Sequence, residues 1–263
     1  GAADGHLAVY GGVGSGTTST LLAAACALAR TRPPDRLHLY AVDLGAGDLA
    51  ALDALPHTGA VLGAADRERQ VRLVRRLRAE LDRRRTDPTA AAHRPDVVVL
   101  VDGLGTFLAQ FDDVDGLAVL DAFERVVVDG PEVGLFVAIA ADRPGAVPAA
   151  MASAVGRRWV HRLADPLDAG AAGVAGRPPA LVPGRLVDVA SGLVAQVAVP
   201  DVEAVAAAWA GHPRTAPPVG VLPVCITRSE LVERTSDPDG GPPRRLVVAL
   251  ADDDLAPAAI PLW

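Results

Sequence analysis

The chain has 263 residues, half of them hydrophobic, with a formal net charge of −7 and an isoelectric point near 5.3. That is enough for one large domain or one domain with an extension, and the acidic balance argues against a basic nucleic-acid binder, though not against a local basic patch. All 25 basic residues are arginine, because the sequence contains no lysine, and no apolar run is long enough to span a membrane as a helix.

The sequence begins at Gly1, without an initiator Met or a signal peptide and only a few residues before a strand-like run, as expected of a domain cut from a longer protein. Strand-like apolar runs occur at Leu7–Tyr10, Leu37–Val42, Val97–Val101, Leu135–Ala140 and Leu193–Val199. Helical patterns lie between or after them at Thr18–Arg30, Asp66–Arg85, Leu117–Val128 and Val202–Ala210. Near-continuous apolar strands alternating with amphipathic helices predict an α/β fold with a mainly parallel sheet covered on both faces. From Gly211 to Pro243 proline and glycine accumulate around one apolar stretch, Val219–Val232, which reads as a linker that wraps over the core, and a late strand is expected at Leu246–Leu250. The domains expected are therefore 1–211 and a linker extension, 212–263. Leu222, Val224, Ile226, Leu231 and Val232 are apolar, so Leu222–Val232 is expected to fold back onto the domain and plug its own peptide pocket; the alternative is a disordered connector that gains structure only beside a following module. Cys26 and Cys225 have no metal-ligand spacing and read as reduced thiols.

Two motifs carry chemistry. Gly11, Gly12, Val13, Gly14, Ser15, Gly16, Thr17 and Thr18 follow the first strand and open a helix with the spacing of a phosphate-binding P-loop. The glycines let backbone N–H groups converge on phosphates, and the helix dipole favours negative charge there. Thr18 stands where a hydroxyl would hold Mg²⁺, but Thr17 replaces the lysine that would neutralise the terminal phosphates. The alternative is a glycine-rich turn with no ligand. The second motif, Asp96 to Asp102, is an apolar strand ending in a carboxylate suited to Mg²⁺, on a strand expected to neighbour the first. Gly103 follows where a hydrolytic site would carry a glutamate base. An Asp there could instead cap the next segment. The Asp66–Arg85 helix carries nine arginines beside an apolar stripe of Val71, Val74, Leu77 and Leu81. They read as a solvated cationic face, or else as a surface that meets an adjacent nucleotide.

With both motifs placed, the sequence resembles the FtsK/SpoIIIE ATPases, and within them the tandem ATPase modules of the EccC motors of type VII secretion. The stretch Leu37–Leu52 with Leu55-Pro56-His57, the P-loop, the Asp102-Gly103 pair, Ile139–Pro144 and Arg158–Asp165 carry the likeness from about Gly5 to Val199. It implies a RecA-like P-loop fold, ATP with Mg²⁺ held by Thr18 and Asp102, a sensor position at Asp142, and candidate arginine fingers at Arg157 and Arg158. It also implies neighbouring ATPase modules in the same polypeptide, a hexamer in the full protein, a secreted helical-hairpin substrate, and a place at the cytoplasmic face of the membrane. Thr17, Gly103 and Asp142 all depart in the direction of lost catalysis. The expected function is thus a nucleotide-binding module that organises a secretion motor with little or no hydrolysis. DNA translocation and recognition of a substrate's tail peptide are the alternatives.

Overall fold

Strands of valine and leucine without polar alternation need cover on both faces, and here they receive it. The computed structural model describes residues 5–87, 94–176, 182–233, 245–251, 255 and 257–261. In chain order these form β1 (His6–Tyr10), α1 (Thr17–Thr31), β2 (Leu37–Asp43), a 3-10 segment (Asp48–Ala54), β3 (Thr58–Leu62), α2 (Arg67–Thr86), β4 (Asp96–Asp102), α3 (Leu104–Gln110) and α4 (Leu117–Asp129). There follow β5 (Leu135–Ala141), α5 (Ala149–Ala154), β6 (Val155–Val160), α6 (Asp168–Ala171), β7 (Arg185–Asp188), β8 (Val194–Gln196), α7 (Val202–Ala208), α8 (Arg228–Glu233), β9 (Arg245–Leu250) and β10 (Pro257–Pro261).

The main sheet has eight strands in the order β3-β2-β4-β5-β1-β6-β7-β8, parallel from β3 to β6, with β7 and β8 antiparallel. Side chains alternate across it. Val97, Val99 and Val101 of β4 join the core under α2, α3 and α4. Val98 and Leu100 face α1, α7 and the 3-10 segment, whose Leu49 and Leu52 are wholly buried. The sheet is thus covered on both faces, as the fold class requires.

Several expectations need correction. The run Leu193–Val199 is not a buried parallel strand but the short, exposed, antiparallel edge β8. β3 and α3 had no apolar run long enough to announce them. The late strand pairs as β9 with β10 in a separate two-stranded sheet. The stripe of α2 is buried through Leu73, Val74, Leu77 and Leu81, with Val71 only partly covered.

The segment after α7 is no loose tether at its start. Tyr40 Oη donates to the Pro217 carbonyl at 2.9 Å, Arg76 Nη1 to those of Pro217 and Pro218 at 3.0 and 2.8 Å, and Arg69 Nε to that of Val219 at 2.9 Å. Arg214 reaches back to the carbonyls of Asp53 and Thr58. Prolines have no N–H to build a ladder, so arginine side chains satisfy this strap's carbonyls instead. Its own Ala216 and Val219 are buried. The expected plug at Leu222–Val232 is not what folds back: Leu222 and Val224 are exposed, although Leu231 is buried. The side chain of Val232 lies outside the described residues.

Candidate functional site: the P-loop cavity

The loop after β1 turns through left-handed backbone at Gly14 (φ +69°) and Gly16 (φ +103°), which only glycine adopts without strain. Gly11 and Gly12 anchor it, their N–H groups donating to the carbonyls of Ala141 and Arg162 at 3.0 and 2.9 Å. Ser15 is buried, and its carbonyl accepts the Gly184 N–H at 2.8 Å. Val13 is fully exposed at the tip. Among the described residues the N–H groups of Gly14, Gly16, Thr17 and Thr18 have no intramolecular acceptor. They border a cavity of about 430 Å³ whose other walls are Ser19, Ala46, Asp48, Pro183, Gly184 and the segment 196–200.

β4 is not the neighbour of β1, because β5 lies between them. The two motifs nevertheless meet: Thr18 Oγ1 donates to Asp102 Oδ2 at 2.7 Å. Because the hydroxyl proton goes to the carboxylate, the oxygen's lone pairs stay free for a cation. In the sheet register Asp43 lies opposite Asp102. Its carboxylate is occupied, accepting the N–H groups of Gly45, Gly47 and Leu49 at 3.2, 3.2 and 2.9 Å. Burial pushes the Asp102 carboxyl above its ordinary value; the Thr18 hydrogen bond opposes this, and the Asp43 and Asp48 carboxylates add to it.

Below the loop, Thr20 Oγ1 donates to the Gly16 carbonyl at 2.8 Å and meets His161 Nε2 at 2.9 Å. Thr20 has one proton and gives it to Gly16, so His161 donates from Nε2 and is the neutral tautomer with Nδ1 bare. Burial holds this imidazole below its ordinary pKa. His161, which no motif singled out, fixes the first turn of α1.

The remaining expected residues fall elsewhere. Asp142 follows β5 but is exposed and does not line the cavity. Arg157 is tied to Asp188 at 3.1 Å and lies over the Trp159 ring, while Arg158 is half-buried beside Tyr10 and Gly173. Neither lines the cavity. Gly103 caps α3 at φ +79°. Asp48 and the wall at 196–200 went unread as site residues, since the first lies in a turn that carries only family likeness and the second has no phosphate-binding motif.

The arginines of α2 are only in part a solvated face. Arg84 is buried and donates to the carbonyls of Pro95, Val133 and Gly134 while pairing with Glu80 at 2.6 Å. Arg67 pairs with Asp113, and Arg85 with Asp129.

The donor set fits a phosphate chain with Mg²⁺. Uncapped N–H groups face the cavity, the Thr18 oxygen is free toward a hard cation, and Asp102 stands behind it. It lacks a lysine at Thr17 and a glutamate at Gly103.

The family model that matches this chain is the FtsK/SpoIIIE family, over residues 1–198. The chain belongs to the FtsK/SpoIIIE family. Curated relatives in this family include the ESX-4 secretion system protein EccC4 of Mycobacterium tuberculosis, 30% identical over 257 residues that cover 89% of this chain and 20% of the relative. The ESX-1 secretion system protein EccCb1 of the same organism is 25% identical, over 97% of this chain and 49% of the relative. The chain therefore spans from a fifth to about half the length of these FtsK/SpoIIIE relatives. Among solved structures, Thermomonospora curvata EccC (ATPases 2 and 3), in complex with a signal sequence peptide, aligns with a TM-score of 0.77 at 24% identity, covering 99% of this chain and 51% of that one. EssC (ATPases 2 and 3) of Geobacillus thermodenitrificans aligns at 0.79 and 18%, covering 99% and 54%. These likenesses show the P-loop ATPase fold. Among the described residues no helix is long and apolar enough to cross a membrane.

Proposed function

We propose that this chain is a nucleotide-binding module of a type VII secretion motor, serving to organise the motor rather than to hydrolyse ATP. The 2.7 Å bond between Thr18 and Asp102 carries the reading, because it keeps the metal-holding pair together while Thr17 and Gly103 occupy the lysine and glutamate positions. Gly14, Gly16, Thr17 and Thr18 would hold phosphates through their N–H groups, and Thr18 and Asp102 would hold Mg²⁺. That ion supplies positive charge to screen the phosphates. No side chain at 103 can polarise a water, and removing general-base or electrostatic assistance each costs several kcal/mol of the barrier. In the whole protein the module would sit among other ATPase modules of the same polypeptide, in a hexamer at the inner face of the membrane.

Calorimetric titration with Mg²⁺ and ATP is the test. Binding is expected, weakened by Thr18→Ala, with no turnover above background. Steady turnover that Thr18→Ala abolishes would overturn the scaffolding role, and absence of any binding would overturn the nucleotide role.

A second reading has its own support. An apolar groove of about 540 Å³ runs between α1 and α7, lined by Cys26, Ala27, Val199, Pro200, Val205 and Trp209 among others. Its chemistry suits an apolar peptide segment such as the tail of a secreted helical-hairpin protein. Anisotropy of a labelled tail peptide should rise on mixing and fail to rise with Ala27→Glu. Equal binding by both proteins would remove this reading.

A further inference from the structure

The described walls of the P-loop cavity carry one charged side chain, and it is negative: Asp48. Asp43 and Asp102 stand opposite one another in the β2–β4 register, beside the Thr18 end of the loop. A polyphosphate entering here meets carboxylates and backbone N–H groups, with a neutral hydroxyl at Thr17 where a lysine point charge would be. A side-chain cation for the phosphates, beside any Mg²⁺ held by Thr18 and Asp102, would have to come from another element.

β7 offers one. Gly184 lies against the loop: a Cβ on Gly16 would sit 2.9 Å from its nitrogen and 3.1 Å from its Cα, and its N–H holds the Ser15 carbonyl. Arg185 is the next residue. It lies directly opposite Gln196 in the β7–β8 pair, and directly opposed residues project from the same face of a sheet. Gln196 lines the cavity, so Arg185 projects on the cavity side. Its side chain is exposed, and among the described residues its one polar contact is a long 3.3 Å bond from Nε to Gln196 Oε1. That bond leaves the Nη groups unspent, and the neighbouring Gly184 backbone packs against Gly16 of the loop.

We propose that Arg185 is the cation of this nucleotide site, a role that rests on the nucleotide-binding reading. It supplies from β7, in the same chain, the positive charge that the P-loop itself lacks, with Gln196 as its positioning residue. A guanidinium suits the task because its planar fork pairs two phosphate oxygens at once and it stays charged at any working pH. Gln196 holds Nε and turns the fork toward the loop.

The test is titration of a fluorescent ATP analogue, with Mg²⁺ in excess, against the wild-type chain and four variants. Arg185→Ala should weaken binding about ten- to a hundredfold, the range for losing one charge-assisted contact. Arg185→Lys, which keeps the charge but not the fork or the Nε held by Gln196, should retain only part of the affinity; Gln196→Ala should lose less than Arg185→Ala, and Thr17→Lys added to Arg185→Ala should recover binding by returning a cation to the loop. Thermal unfolding should be the same for wild type and Arg185→Ala, since that side chain is exposed. Wild-type binding that Arg185→Ala leaves unchanged would overturn the role of Arg185 alone. No binding by either wild type or the Thr17→Lys, Arg185→Ala double variant would overturn the nucleotide reading and this inference with it.

Discussion

At Gly103 the backbone holds φ +79° and ψ 52°, and a Cβ there would sit 3.4 Å from the Leu44 side chain and carbonyl. The sequence shows only that no glutamate stands here; the dihedral shows backbone suited to glycine. An acid placed at this position would therefore be strained. Gly103→Glu should lower unfolding stability by about 1–2 kcal/mol, the usual cost of forcing an L-residue into left-handed backbone, as read from urea denaturation. Turnover should remain absent in the double variant with Thr17→Lys. A stable Gly103→Glu protein that hydrolyses ATP would show that the loop readopts the geometry of an active site.

At the scale of elements, α2 shows what a patterned helix can hide. Its stripe announced a helix lying on the sheet, but nothing in the spacing separates Arg84, buried under three carbonyls, from Arg83, which lies mostly in solvent beside Glu80. Arg84→Ala should cost about 2–4 kcal/mol, because it takes the donor from the half-buried Pro95 and Val133 carbonyls and a partner from Glu80, at roughly 1–3 kcal/mol each, partly offset by local relaxation and water. Arg83→Ala should stay within about 0.5 kcal/mol, and parallel thermal melts would check the contrast. The same limit explains the rest of what was legible. The long valine and leucine strands, the P-loop turn and Asp102 were readable because local pattern dictates them. The strap was legible as a linker over the core but not in its contacts, since long-range bonds from Tyr40, Arg69 and Arg76 and from its own Arg214 hold it; β3 and the wall at 196–200 were not legible, the wall bordering the cavity only through tertiary packing. Asp48 illustrates a middle case: its turn is visible in the sequence, but only the register of β2 against β4 brings it beside Asp102.

At the scale of the whole molecule, four histidines among the described residues are held neutral. Burial lowers His6, His57 and His161, and takes His38, with Arg84 adding to the effect, down to about 4. His6 is bonded at both nitrogens, taking the Val137 N–H at 2.8 Å on Nδ1 and giving its own proton to the Val127 carbonyl, so a second proton has no place there. With folded values below the unfolded value of about 6.5, the unfolded chain binds more protons as pH drops. Stability is complete above that pH and declines as pH falls toward about 4. Asp102, shifted upward, works weakly in the opposite sense. The melting temperature should therefore fall steadily from pH 7 to pH 5, and a flat profile over that interval would contradict the buried neutral histidines. The strap has a mechanical consequence. A pull on the chain beyond residue 220 enters the domain at Tyr40, β3 and α2, and β4 and β5 still stand between β2 and β1. Its clasps are single side-chain bonds of about 1–3 kcal/mol each, weaker together than the ladder of the sheet. Tension would strip residues 213–219 from α2 first, like a fuse, and leave Thr18 and Asp102 in place.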